Sequence, residues 1–345
     1  MFTCANPMLF HWLLLGVGAS RPITKGFSED HPRNYSASII AQSVWHPPTL
    51  EDLVAQRRRH VVARTECQAL ALPAACSTKS REQPHRRTTR GPVSFLDSLG
   101  VSHECLKHVP TGRTGGFCLF PGGPNLTLSG RPTVPLPNGY VPPDGRLLKF
   151  IVVSIFDLAA AGAPGSRRPL SVLDLGAGVG QYGHALLSLR PHTRWMGFDG
   201  AGNVEEMSNG FVGYADLTLP AALPRADWVV SLEVAEHVTS VHEATLVRNL
   251  HVHNCRGVII SWAALGQKGT GHVNNHGQHY IVSLFDELGY DFDARQSRDL
   301  RADRGPPATT TPGMPPLLSK NYPWFRKSIY VFRRRMPLTG IGCTS

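Results

Sequence analysis

From Tyr140 onward, short apolar runs alternate with stretches of helical spacing, the texture of a domain in which strands and helices take turns. Asp144 to Ala161 places Leu147, Leu148, Ile151, Ile155 and Leu158 on one face and predicts a helix, stopped by Gly162 to Pro169. Ser171 to Leu175 reads as a short buried strand that runs straight into glycine, with a helix predicted over Gln181 to Leu189. Further strands are predicted at Trp195 to Phe198, Gly210 to Tyr214, Trp228 to Leu232, Gly257 to Trp262 and Ser328 to Phe332. Helical segments separate most of them, which implies an α/β domain over 141–335 on a doubly wound, mainly parallel sheet.

Upstream the pattern fades. Residues 21–90 are rich in Arg, Pro, Ser and Thr without sustained periodicity, so they lack the apolar burial that offsets ordering entropy and are expected to be largely disordered. Within them only Leu50 to Ala63 predicts a helix, with Thr49 as its cap and Glu51 and Asp52 in its first turn. Residues 91–140 read as an irregular lead-in dense in Gly, Pro and Cys, and residues 336–345 as a tail.

Composition sharpens this division. The 345 residues are 41% hydrophobic and 17% charged, enough to bury a core, and the net charge of +10 raises the question of nucleic acid. Residues 1–90 carry 12 Lys/Arg against 6 Asp/Glu, and residues 91–345 carry 23 against 19, so the excess sits mostly upstream of the folded domain. The runs Arg57-Arg58-Arg59 and Arg86-Arg87 therefore read first as a solvated segment. The apolar stretch Met8 to Ala19, within residues 1–20, is too short to span a membrane but has the length of a signal-peptide core. Val17-Gly18-Ala19 suits cleavage, although no Lys or Arg precedes the run. Sequons at Asn34 and Asn125 are compatible with secretion. Seven cysteines, at 4, 67, 76, 105, 118, 255 and 343, form no CxxC pair, which argues against structural zinc. Cys105 and Cys118 bracket a Gly-rich loop, and both a disulfide and a reduced pair fit there.

The most informative segment is Asp174-Leu175-Gly176-Ala177-Gly178-Val179-Gly180, where a strand ends and a helix begins. Its spacing is GxGxG, one residue short of the dinucleotide GxGxxG. Asp174 beside the turn suits a cationic amino group and repels a pyrophosphate. The segment resembles motif I of class I S-adenosylmethionine-dependent methyltransferases. That resemblance implies a Rossmann-like seven-stranded sheet, S-adenosyl-L-methionine as cofactor, and Asp174, Gly176, Gly178 and Gly180 around its methionine end. On the same template Asp199 would accept hydrogen bonds from the ribose hydroxyls, Asp216 would lie near the adenine amino group, and Leu217 would cover the adenine face.

Candidate chemistry lies after the fourth and fifth strands. Glu233 and His237 are four apart, a spacing that puts them on one side of a helix or turn at the pocket; a helix-start acid and a packed histidine fit equally. The loop 266–280 is dense in glycine and ring nitrogens, and a neutral histidine there could deprotonate an attacking hydroxyl or amine, with His272 the first choice and His276 the second. His272, His276 and His279 also have metal-compatible spacing, but the glycines argue against a rigid helix, and no metal is assigned. The segments Gly200 to Glu206 and Gly271 to Asn275 are similar to those of a group of animal methyltransferase-domain proteins of unassigned substrate.

The resemblance implies transfer of a methyl group to oxygen or nitrogen of a small-molecule or other non-nucleic acceptor. The fourth strand lacks the Asn/Asp-Pro-Pro-aromatic sequence of enzymes that methylate nucleic-acid amino groups. The alternative is a non-catalytic protein that keeps the cofactor pocket and uses its basic N-terminal segment to hold an acidic partner. A cofactor made in the cytosol favours the cytoplasm, with the secretory pathway as the alternative, and oligomeric state stays open.

Overall fold

The computed structural model describes residues 33–71, 118–128, 131–152, 169–301 and 322–343. The helices are α1 (Ala37–Ala41), α2 (Leu50–Ala71), α3 (Gly145–Phe150), α4 (Gln181–Leu189), α5 (Val204–Met207), α6 (Glu243–Val252), α7 (Gln278–Glu287), α8 (Ala294–Arg301) and α9 (Phe325–Ser328). A small antiparallel pair, β1 (Asn125–Leu126) and β2 (Val134–Pro135), precedes the main sheet. That sheet holds β3 (Ser171–Leu175), β4 (Arg194–Asp199), β5 (Val212–Tyr214), β6 (Ala226–Ser231), β7 (Asn254–Ser261), β8 (Tyr290–Phe292) and β9 (Ile329–Arg334).

Its order is β5-β4-β3-β6-β7-β9-β8. All neighbours pair in parallel except β9, which lies antiparallel between β7 and β8. This is the doubly wound, Rossmann-like seven-stranded sheet expected from the sequence. The strands are buried on both faces: Val172, Trp228, Val230 and Ile259 feed one core with α4, while Leu173, Val229, Val258 and Ile260 feed the other with α6 and α7. The order reverses between β3 and β6, and folds of this kind leave a crevice for ligands at the carboxyl ends of the strands on either side of such a point.

Six of the seven strands fall where the apolar runs predict them, within a few residues at each end. β8 was not predicted, because its three residues carry Asp291 in the middle and form an edge strand. The helix predicted over Asp144 to Ala161 is present from Gly145 to Phe150, and its stretch from 153 onward lies outside the described residues. Among the described residues no helix is long and apolar enough to cross a membrane. The leader within residues 1–20 also lies outside them.

Two expectations need correction. Of the segment expected to be disordered, residues 33–71 form α1 and α2 and pack on the domain. Ala37 and Ile40 enter the second core. α2 docks mainly through polar groups: His60 bonds the Gly202 carbonyl at 2.9 Å and stacks on Tyr214, Gln56 donates to the Tyr214 carbonyl at 2.7 Å, and Arg57 and Arg64 pair with Glu205 and Glu206. Apolar periodicity cannot register contacts of this kind. The second correction concerns the cysteines. Cys118 pairs with Cys67 and not with Cys105, which lies outside the described residues, and so ties α2 to the lead-in; Cys255 pairs with Cys343 and ties the tail to β7.

Candidate active site

The end of β3 forms the floor of the site. Asp174 sits in register between Gly197 of β4 and Val230 of β6, at the point where the sheet order reverses. The next residues leave the strand, with the N–H groups of Gly176 and Ala177 both donating to the Phe198 carbonyl at 2.8 and 3.0 Å. Gly176, Gly178 and Gly180 have φ of +83°, +58° and +82°, a region in which side chains are strained. Space excludes side chains as well, since a Cβ at Gly176 would lie 2.1 Å from Val234 Cγ2 and one at Gly178 would lie 2.5 Å from the Tyr140 ring.

Two buried carboxylates flank this turn. Asp199 Oδ2 accepts from the Gly178 N–H and Oδ1 from the Ala201 N–H, each at 2.8 Å, which fixes the end of β4 against the glycines. Burial raises its pKa, and the backbone N–H groups of Ala201, Gly178 and Gly200 oppose the rise. Burial pushes the Asp174 carboxyl up to about 7, with the Trp195 side chain opposing and the charge of Asp199 adding to the shift. Asp174 is thus a group that a bound cation would ionise.

The other cofactor candidates are placed differently. Asp216 is half-buried, and its Oδ1 accepts from the Thr218 N–H and hydroxyl at 2.9 and 2.6 Å, closing the turn after β5. Leu217 is buried in the second core, so its side chain backs that turn from beneath. Tyr140 beside Gly178, and α2 laid along β5, are neighbours that the sequence reading missed. Tyr140 lies at the junction of two assigned segments, and nothing local marks it.

The loops after β6 and β7 converge on a second cluster. Glu233 takes φ of +57°, rare for a side-chain-bearing residue and worth about 1–3 kcal/mol of strain. A reciprocal pair holds it there: the Glu233 N–H donates to Ser261 Oγ at 2.6 Å, and that hydroxyl donates to Glu233 Oε1 at 2.7 Å. Three residues on, the Glu236 carbonyl accepts from the N–H groups of Val273 and Asn274 at 2.8 and 3.1 Å, lacing the post-β7 loop onto the 3-10 turn Ala235–His237. The lacing brings His272 to His237, with ring centroids 5.1 Å apart at an interplanar angle of 84°.

Electrostatics in this cluster run against ionisation. Burial and then the charge of Glu233 push Glu236 up to about 8, and burial raises Glu233 while Ser261 opposes. Burial lowers His237 to about 4, assisted by His272, and burial lowers His272 too. Both rings are neutral at physiological pH, and His237 Nδ1 and His272 Nδ1 face the carbonyls of Gly271 and Gln267 at 3.2 and 3.3 Å.

His237 and His272 are therefore together, with Glu236 between their loops and Glu233 near enough to Glu236 for its charge to act there, and His276 is not with them. His276 Nε2 lies 2.8 Å from Glu243 Oε2, and its ring stacks on Tyr280 at 3.7 Å. Asn274 and Tyr35 also donate to Glu243, at 2.8 and 2.9 Å, and Tyr280 donates to the same carboxylate. Burial raises the Glu243 pKa, but hydrogen bonds from His276, Tyr280 and Asn274 more than reverse this and keep it below the usual carboxylate range. His276 belongs to this buried tie between α6, α7 and the segment before α1, which corrects its selection as a second-choice base. Glu236 was missed, because an acid after a strand reads as a helix start unless its partners are known.

No protein-family model and no curated protein sequence matches the chain. Among solved structures it is similar to magnesium protoporphyrin IX methyltransferase from Synechocystis PCC 6803 with bound S-adenosylmethionine, at 15% identity and a TM-score of 0.36, over 55% of this chain and 80% of that one. It is similar also to the N-methyltransferase NodS from Bradyrhizobium japonicum WM9 in complex with S-adenosylhomocysteine, at 13% identity and 0.33, over 53% and 84%. A plantazolicin methyltransferase in complex with a triazolic substrate analogue matches at 13% and 0.37, over 55% and 85%.

Proposed function

We propose that this protein binds S-adenosyl-L-methionine between β3 and β4 and transfers its methyl group to oxygen or nitrogen of a small-molecule or other non-nucleic acceptor. The observation that carries the reading is the run of three left-handed glycines held between two buried carboxylates, Asp174 and Asp199, at the switch point of this sheet. The donor set fits the cofactor: Asp174 meets the ammonium of its methionine end, Asp199 the ribose hydroxyls, and Asp216 the adenine edge. Bound there, the cofactor would supply a sulfonium methyl carbon for transfer to the acceptor's oxygen or nitrogen.

The chain's own residues do the rest. Glu233 and Glu236 hold negative charge or acceptor oxygens on the acceptor side, and His237 and His272, both neutral, orient the acceptor's hydroxyl or amine and accept its proton. Arg57 and Arg64 pair with Glu205 and Glu206 on the domain itself, which counts against the alternative in which they hold an acidic partner. The two disulfides favour an oxidising compartment and hence the secretory alternative.

Titration calorimetry of S-adenosylmethionine into the full chain tests the reading, with Asp174→Ala and Asp199→Ala alongside. Binding in the wild type that is lost in both variants supports it. A folded wild type that fails to bind at millimolar cofactor overturns it.

A further inference from the structure

Among the described residues, one group of His and acidic side chains converges closely enough to hold a metal ion: Glu236, His237 and His272, each offering a ligand atom within 4.8 Å of the other two. They come from two loops at the carboxyl edge of the sheet, the turn after β6 and the loop after β7. Backbone bonds from Val273 and Asn274 to the Glu236 carbonyl lock those loops together. Glu236 is fully buried at 0% exposure, and no side chain donates to either carboxylate oxygen; the backbone N–H groups of Ala263 and of Glu236 itself lie near enough to oppose the rise in its pKa. A buried carboxyl group with so little hydrogen bonding is uncommon in a native core, and chains tolerate it where something else satisfies it. Glu233 stands beside it as a second carboxylate, and the His237 and His272 rings face it as two imidazoles.

We propose that Glu236, His237 and His272 form a binding site for one divalent transition-metal ion, with Glu233 supplying the adjacent negative charge. Two imidazoles with a carboxylate suit Mn, Fe, Co or Zn better than Mg or Ca, which prefer all-oxygen shells. Bonds of ~2.1 Å put neighbouring ligand atoms about 3.0–3.5 Å apart, so the three groups close by about an ångström on the ion. Gly269 permits the approach of the loop, since a Cβ there would lie 2.0 Å from His272 Nε2. The second carboxylate offsets the ion's remaining charge, which explains why two acids share a buried pocket that penalises both. No metal was expected from the sequence, because the glycines around His272, His276 and His279 argue against a rigid helix that would hold those three as ligands.

The inference rests on the methyltransferase reading for its purpose and not for its test. Beside a bound cofactor the ion would bind the acceptor's oxygen or nitrogen and lower its proton affinity; His237 and His272 would then hold the ion in place of the proton-accepting role described above, and the proton would pass to solvent. The acceptor class is then narrowed to chelating groups such as a hydroxyl with a neighbouring oxygen or nitrogen.

The test uses the full chain, stripped with chelator and dialysed, then titrated with Co²⁺ followed by its visible absorption and by calorimetry. One ion per chain is expected, and Zn²⁺ or Mn²⁺ should compete for it. Glu236→Gln and His272→Ala should each weaken binding at least ~100-fold, as loss of one ligand from a three-ligand site does. Gly269→Ala should weaken it without removing a ligand. His279→Ala, an exposed histidine of the next helix, should bind as the wild type does. A folded wild type that takes up no Co²⁺ at millimolar concentration overturns the site, and so does wild-type affinity in both ligand variants. Binding of S-adenosylmethionine, measured separately without metal, shows whether the broader reading fails with it or stands alone.

Discussion

Asp174 couples cofactor binding to pH in a way that can be worked out from the structure. In the ligand-free protein its carboxyl is held at about 7, mainly by burial, with the Trp195 side chain opposing and Asp199 adding to the rise. An ammonium placed beside it favours the ionised form, so binding releases a proton whenever Asp174 starts protonated. Apparent affinity then scales with the ionised fraction of the free protein. That fraction falls from about one half at pH 7 to roughly 0.03 at pH 5.5, which weakens binding about fifteenfold, or ~1.6 kcal/mol. The sign is unambiguous: a carboxyl raised in the folded state binds cations better as pH rises through that value. Above pH ~8 the cofactor's own amino group loses its proton and the gain ends. Calorimetry at several pH values between 5.5 and 7, each in two buffers of different ionisation enthalpy, reads both the affinity and the protons released. At pH 6.5 about 0.8 proton per site is expected. Asp174→Asn should bind weakly and without this pH slope, and in the ligand-free state it should be the more stable protein at pH 8, where the buried wild-type carboxylate is charged. A flat affinity across this range, or the same slope in Asp174→Asn, refutes the assignment.

Three further outcomes follow from the packing. Gly178→Ala puts a Cβ 2.5 Å from the Tyr140 ring at φ of +58°, and should cost about 2 kcal/mol of stability together with most cofactor affinity, read by melting and calorimetry. Gly202→Ala drives a Cβ to 2.2 Å from the Ala63 carbonyl oxygen, so α2 should lift and expose its backbone to limited proteolysis, while Gly210→Ala, with open space around it, should leave α2 in place. Reduction should lower the melting temperature, because the disulfides close spans of 51 and 88 residues, worth at most about 4 to 5 kcal/mol each; unchanged melting in reductant would contradict both pairings.

Six of the seven strands and the floor of the site can be read from the chain's local patterning. Buried parallel strands appear as unbroken apolar runs, and a turn that needs three left-handed residues against Val234, Tyr140 and Phe211 leaves glycine at each position, so β3, the turn and α4 are legible from local spacing alone. Asp174 and Asp199 follow from their places at the ends of β3 and β4. Pairings between residues distant along the chain emerge only from the folded arrangement. His272 and His276 look alike in sequence, but hydrogen bonds to the Glu236 carbonyl carry one to His237, and Glu243 on α6 draws the other into a buried structural tie. α2 docks through His60, Gln56 and Cys67, polar and sulfur contacts that leave no apolar period to read. Glu236 becomes informative only once its burial without a side-chain donor is seen, because solvation and long-range neighbours, and not residue type, decide whether an acid is a cap or a ligand.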